Sequence, residues 1–121
     1  MRPPEQDIEG RLPIWDALHY LWLDTDVEAL HLEHTAKTCA ESSYNLTEIE
    51  AIYWNEVYPF MRFNLYPWSV AGEWAFVDTD VLREGILKHH KFGKRLWFKR
   101  RRTYAYEMWS SLITVIRKHR E

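Results

Sequence analysis

Apolar residues return at spacings of three and four along most of this chain. That period fits amphipathic helices and rules out a sheet of alternating strands. Ile14, Ala17, Leu18 and Leu21 form the first stripe, flanked by Trp15 and Trp22. Pro13 suits the first turn of a helix that should stop near Asp24. Thr25 and Asp26 can cap a second helix, about Val27 to Glu41, with Val27, Leu30, Ala36, Cys39 and Ala40 on a thinner apolar face. Asn45-Leu46-Thr47-Glu48 has the form of a capping box. It opens a third helix with Ile49, Ile52, Tyr53 and Val57 inward, ending before Pro59. Asp78-Thr79-Asp80 precede a fourth helix, Val81 to about His89, with Val81, Leu82, Ile86 and Leu87 inward and Gly85 weakening it. A long fifth helix, roughly Lys94 to Lys118, repeats Trp97, Tyr104, Met108, Trp109, Leu112 and Ile116 at helical spacing. Its last turn, Arg117-Lys118-His119-Arg120, sets positive charge at the negative end of the macrodipole.

Two stretches escape this pattern. Residues 1–10 are polar, with two prolines and a glycine, and read as a loosely ordered leader. Residues 58–77 fit neither period, are punctuated by Pro59, Pro67 and Gly72, and are too apolar for a solvated loop. They read as an irregular, partly buried aromatic segment. The predicted fold class is therefore all-α: one bundle-like domain of four to five helices over residues 11–121.

The chain has 121 residues, 16% of them aromatic, with seven Trp and seven Tyr. A chain of this length buries a core without covalent staples. Its single cysteine, Cys39, allows no internal disulfide, which fits a reducing compartment. In an acidic stretch that thiol reads as a small buried apolar residue rather than a nucleophile. The N-terminus has no apolar signal core, and no run approaches a membrane span, so the expected location is the cytoplasm.

Charge is sorted along the sequence. Residues 1–60 hold twelve Asp/Glu and three Lys/Arg, a formal charge of −9. Residues 61–121 hold thirteen Lys/Arg and six Asp/Glu, or +7. The acids Asp24, Asp26, Glu28, Glu33, Glu41 and Glu48 lie on or at the ends of neighbouring helices, a pattern that can steer a basic protein partner. The alternative is pairing with the chain's own basic half. Lys94, Arg95, Lys99, Arg100, Arg101 and Arg102 interleave with Trp97 and Phe98. That suits phosphate contacts and base stacking, with salt-dependent binding to nucleic acid as its signature. A sequence pI near 6.3 weighs against a dedicated nucleic-acid binder.

His31 and His34 share a helix face, as a chelate needs, but lack a third ligand unless His89-His90 folds back. A solvated face is the simpler reading, and no metal or cofactor is expected. The chain contains no glycine-rich phosphate loop, nucleophile elbow or zinc-hydrolase motif.

The stretches Arg11-Leu12-Pro13-Ile14-Trp15-Asp16-Ala17-Leu18, Glu56-Val57-Tyr58-Pro59 and Asn64-Leu65 with Val70-Ala71-Gly72-Glu73-Trp74 resemble the RLPxWxAL, EVYP and NLxxVAGEW motifs of a small bacterial family of uncharacterised helical proteins. The resemblance spans about residues 11–90 and leaves out the basic tail. It implies a short, cytoplasmic, helical protein and carries over no catalytic residue. Glu56, Asn64 and Glu73 are polar groups set among Trp54, Tyr58 and Trp74. If buried they must be hydrogen-bonded, as organisers of the irregular segment or as parts of a small-molecule or enzyme site beneath residues 58–76.

The expected function is non-enzymatic binding of a protein partner. Its most concrete form is an immunity- or antitoxin-like protein that neutralises a basic bacterial toxin through the acidic surface.

Overall fold

The computed structural model describes residues 1–23, 29–65, 79–91 and 104–121, with the side chains of 1–19, 32–61, 79–91 and 106–121. It is all-α, with no strand among the described residues. A 3-10 turn, Pro4–Gln6, leads into α1 (Ile8–Leu23). Then come α2 (Ala29–Glu41), α3 (Leu46–Ile52), a π-helical turn (Tyr53–Val57), α4 (Tyr58–Leu65), α5 (Thr79–His89) and α6 (Tyr104–Arg120). Helix α2 packs on α6 and on α1, while α5 packs on α4, α1 and the π-turn. The core is the shared inside of all these elements: Ile14, Trp15 and Leu18 from α1, Ile49 and Ile52 from α3, Leu82 and Ile86 from α5, Leu112 and Ile116 from α6.

The start of α3 forms as its sequence dictates. Asn45 Oδ1 accepts from the Glu48 N–H at 2.8 Å, and Glu48 Oε1 accepts from the Asn45 N–H at 2.9 Å. Both donors are orphans of a helix N-terminus. Asn45→Ala is expected to cost about 1 kcal/mol in urea unfolding, and Asn45→Gly only a few tenths.

The third helix does not end before Pro59. It runs on to Leu65, so residues 58–65 of the segment expected to be irregular are helical. The π-turn makes this possible. The Tyr58 N–H reaches back five residues to the Tyr53 carbonyl, which inserts one extra residue into the helix. Pro59 has no N–H for the Asn55 carbonyl, its ordinary partner four residues back. That carbonyl instead accepts from the Lys91 N–H, at 2.6 Å, beyond the end of α5.

The chain's beginning also differs from expectation. Helix α1 starts at Ile8, five residues before Pro13, and residues 1–7 are built into the fold. The Asp7 carbonyl accepts from the Arg11 N–H at 2.9 Å and so takes the cap position. Pro3 and Pro4 introduce the 3-10 turn rather than a loop. Gly10 provides clearance: a Cβ there would stand 2.7 Å from both Asp7 Oδ1 and the Tyr44 hydroxyl. Pro13 lies inside the helix on an exposed position, where water can serve the carbonyl that a proline leaves without its donor.

The apolar stripes of α1, α3 and α6 face inward where their side chains are described. Val81 does not; it is 54% exposed, because α5 seats Leu82 and Ile86 one turn apart on the same side. The caps proposed at Thr25 and Asp26, residues 66–77 of the aromatic segment and the first turns proposed for the last helix lie outside the described residues. No helix among the described residues is long and apolar enough to cross a membrane.

Candidate functional site

The polar centre of the molecule is an ion pair with no solvent exposure. Glu56 points from the π-turn at Arg11 of α1, and both are 0% exposed. Arg11 donates from Nε to Glu56 Oε1 at 3.2 Å and from Nη2 to Oε2 at 3.2 Å. Trp15, one turn along α1, donates its indole N–H to Oε1 at 2.8 Å. The outer side of the guanidinium is closed by Asp7 Oδ2 at 2.9 Å from Nη1 and by the Arg2 carbonyl at 2.5 Å from Nη2. Tyr44 donates its hydroxyl to the same Asp7 oxygen and lies with its ring centroid 5.4 Å from the guanidinium carbon.

Electrostatics follow from this geometry. Burial pushes the Glu56 carboxyl upward, opposed by the Trp15 hydrogen bond and by Arg11. Burial works against the Arg11 charge, but Glu56 and Tyr44 together outweigh it and Arg11 is held above its ordinary value. Burial and the bond to Asp7 push Tyr44 to about 12. Asp7 is held low, first by the Tyr44 hydroxyl. Each strong donor here faces an acceptor, which is what keeps a buried charge tolerable. A carboxylate engaged on both oxygens is an organiser of the fold.

His19 is also buried. Its Nδ1 lies 2.5 Å from the Asp16 carbonyl, and burial lowers its pKa below 6.5 despite that contact. Below that pH the unfolded chain takes up a proton that the folded chain resists, so stability falls as pH falls. Thermal melts of the wild type and His19→Gln across this window should differ in slope, the variant losing the part due to His19. Parallel slopes would contradict the assignment.

Cys39 is fully buried, and burial pushes its thiol to about 12. Such a group is a poor nucleophile. Its carbonyl does more: Arg120, in the last turn of α6, donates to the carbonyls of Cys39 at 3.2 Å, Ala40 at 3.2 Å and Tyr44 at 2.5 Å. The first two sit in the last turn of α2, where carbonyls lack partners within the helix, and Tyr44 lies in the connection to α3.

The acids proposed to bind a partner divide three ways. Glu33 is exposed but meets His119 Nε2 of α6 at 2.5 Å, so it is engaged within the chain. Glu48 is half-buried in its capping box, and Glu50 accepts from the Trp109 indole at 3.2 Å. Glu41 is exposed, as is Glu9. Asp24, Asp26 and Glu28 lie outside the described residues, as do Lys94, Arg95, Lys99, Arg100, Arg101 and Arg102.

Of the aromatic-segment residues, Trp54 is buried and stacks edge-on to Tyr53 and Tyr58 at 4.9 and 5.2 Å. Its indole N–H finds no hydrogen-bond partner among the described residues. Glu56 bonds to the side chains of Arg11 and Trp15 in α1. The backbone of Asn64 belongs to α4; its side chain, and all of Glu73 and Trp74, lie outside the described residues. His34 is exposed, and no group of three His, Cys, Asp or Glu suited to a metal occurs among the described residues.

Sequence reasoning missed the role of Arg11. The available signal was its spacing: Asp7, Arg11 and Trp15 recur at four, a charged residue in the same helical row as a core tryptophan.

No curated protein and no solved structure matches the chain significantly. Residues 9–119 match a family described as a domain of unknown function, DUF7079. That span holds Arg11, Trp15 and Glu56 and extends through the basic tail, beyond the region of the motif resemblance. The chain belongs to this DUF7079 family, and its buried Arg11–Glu56 pair lies wholly inside the family domain.

Proposed function

We propose that the protein acts by binding a protein partner and catalyses no reaction. Its concrete form is an immunity- or antitoxin-like protein, working in the cytoplasm of a bacterium, that covers a basic toxin surface with acids of the N-terminal half. The carrying observation is that the carboxylate best placed for chemistry, Glu56, is closed off by Arg11 and Trp15, whereas Glu41 and Glu9 face outward. The −9 charge of residues 1–60 supports the same reading. Complementary charge raises association rate and selects partners.

The test is co-expression with the product of the neighbouring gene. Protection of the host and a complex on gel filtration are expected, both weakened by Asp24→Lys, Asp26→Lys and Glu41→Lys together. A complex indifferent to those reversals, or none at all, would sink this reading.

A small-molecule site beneath residues 58–76 has one observation in its favour, the Trp54 indole N–H, which is unpartnered among the described residues. A buried donor without an acceptor costs about 1–3 kcal/mol, which an acceptor on a ligand would recover. Saturable quenching of tryptophan emission by a planar ligand, lost in Trp54→Phe, would favour it.

A further inference from the structure

The segment before α1 is tied down by polar contacts at each end and in its middle. The Arg2 carbonyl takes Arg11 Nη2 at 2.5 Å, and Asp7 takes Nη1 at 2.9 Å together with the Tyr44 hydroxyl. Between them the Gln6 and Asp7 N–H groups close the 3-10 turn on the carbonyls of Pro3 and Pro4, at 3.0 and 3.2 Å. Glu5, at the crest of the turn, pairs with His90 Nε2 just past α5. The next residue, Lys91, gives its N–H to Asn55 in the π-turn.

We propose that residues 2–7 are a strap that closes over the outer side of the buried Arg11–Glu56 pair, latched to the end of α5 by Glu5 and His90. The strap can open without unfolding the domain. Pro4 is its only buried residue, and its ties to Arg11, Tyr44 and His90 are polar contacts. Elements held this way sit at the low-stability end of a structure. The strap also precedes the family span, which begins at residue 9, while the pair it covers lies within that span. Opening removes the Arg2 carbonyl and the Asp7 carboxylate from Arg11 and bares the guanidinium edge and the Tyr44 hydroxyl, leaving Glu56 and Trp15 in place. Residues 90 and 91 act on both sides of the pair, holding the strap through the His90 side chain and the π-turn through the Lys91 N–H. A partner that displaces the end of α5 would therefore loosen the strap and the π-turn together.

The test is amide hydrogen exchange on the full chain for wild type, Glu5→Ala, His90→Ala and the double variant. Gln6 and Asp7 report on the strap, and Ile49, bonded to the Asn45 carbonyl at 2.9 Å, reports on the core. Each single variant should speed exchange at Gln6 and Asp7 roughly two- to fivefold, the range a partly exposed pair is worth. The double variant should go no further, and Ile49 should not change. Unchanged exchange at Gln6 and Asp7 would overturn the latch. So would additive effects in the double variant, which would mean the two residues act independently. Equal acceleration at Ile49 would show that the strap does not open separately from the fold, and would overturn the proposal as well.

Discussion

Glu56→Gln is expected to lower stability by about 3 kcal/mol, toward the lower end of what breaking a buried ion pair costs. The amide keeps the shape and can still accept from Trp15, so the loss comes from Arg11. Its guanidinium stays in place without its buried counter-charge, with Asp7 and the Arg2 carbonyl on the outer side. For a chain of this length that corresponds to a fall in Tm of roughly 10–15 °C. Glu41→Gln, on an exposed site, is the control and should stay within about 0.5 kcal/mol of wild type. Urea unfolding of both variants separates the two outcomes. A Glu56→Gln protein as stable as the Glu41→Gln protein would mean that the pair contributes little.

Gly85→Ala is the second large effect. In an ordinary helix interior this change stabilises by up to about 1 kcal/mol. Here a Cβ would stand 1.9 Å from Phe60 Cε1 and 2.2 Å from Cδ1. Phe60 is only 3% exposed, so its ring cannot swing out of the way. Overpacking of this kind costs about 1–3 kcal/mol, and it exceeds the helix-propensity gain. Gly85→Ala should therefore destabilise, and Phe60→Leu added to it should recover part of the loss. The glycine that weakens α5 on propensity grounds is what lets α4 approach it. A more stable Gly85→Ala protein would show that this close approach is not required.

Both sites depend on residues far apart in the chain, which is where the sequence is hard to read. Local signals were read correctly where the physics is local. The Asn45–Glu48 capping box needs only four residues, and the stripe Ile49, Ile52, Tyr53 and Val57 needs only one helix. Failures occurred where a distant residue completed the local requirement. Pro59 looks like a stop because its neighbours cannot supply the missing donor, and Lys91, far along the chain, takes up the free carbonyl. Gly10 looks like loop punctuation until Tyr44 is brought beside it. Arg11 enters the sequence reading only in the charge sum and in the RLPxWxAL motif, since nothing within a turn of it shows that Glu56 will meet it in the core. The sequence leaves burial of the motif residue Glu56 open and requires only that, if buried, it be hydrogen-bonded. It does not show the partners, because they belong to α1. The acidic surface was only half legible: a list of acids does not reveal that Glu33 faces His119 or that Glu48 and Glu50 are engaged in holding α3.

The most direct measurement is a double-mutant cycle across the buried pair, using Arg11→Met, Glu56→Leu and the double variant in urea unfolding. Each single change strands one buried charge, whereas the double change removes both and leaves apolar side chains of similar bulk. If the pair is an organiser of the core, the double variant is more stable than either single variant, with a coupling of about 3 kcal/mol or more. Losses that simply add, leaving the double variant the least stable of the three, would contradict it.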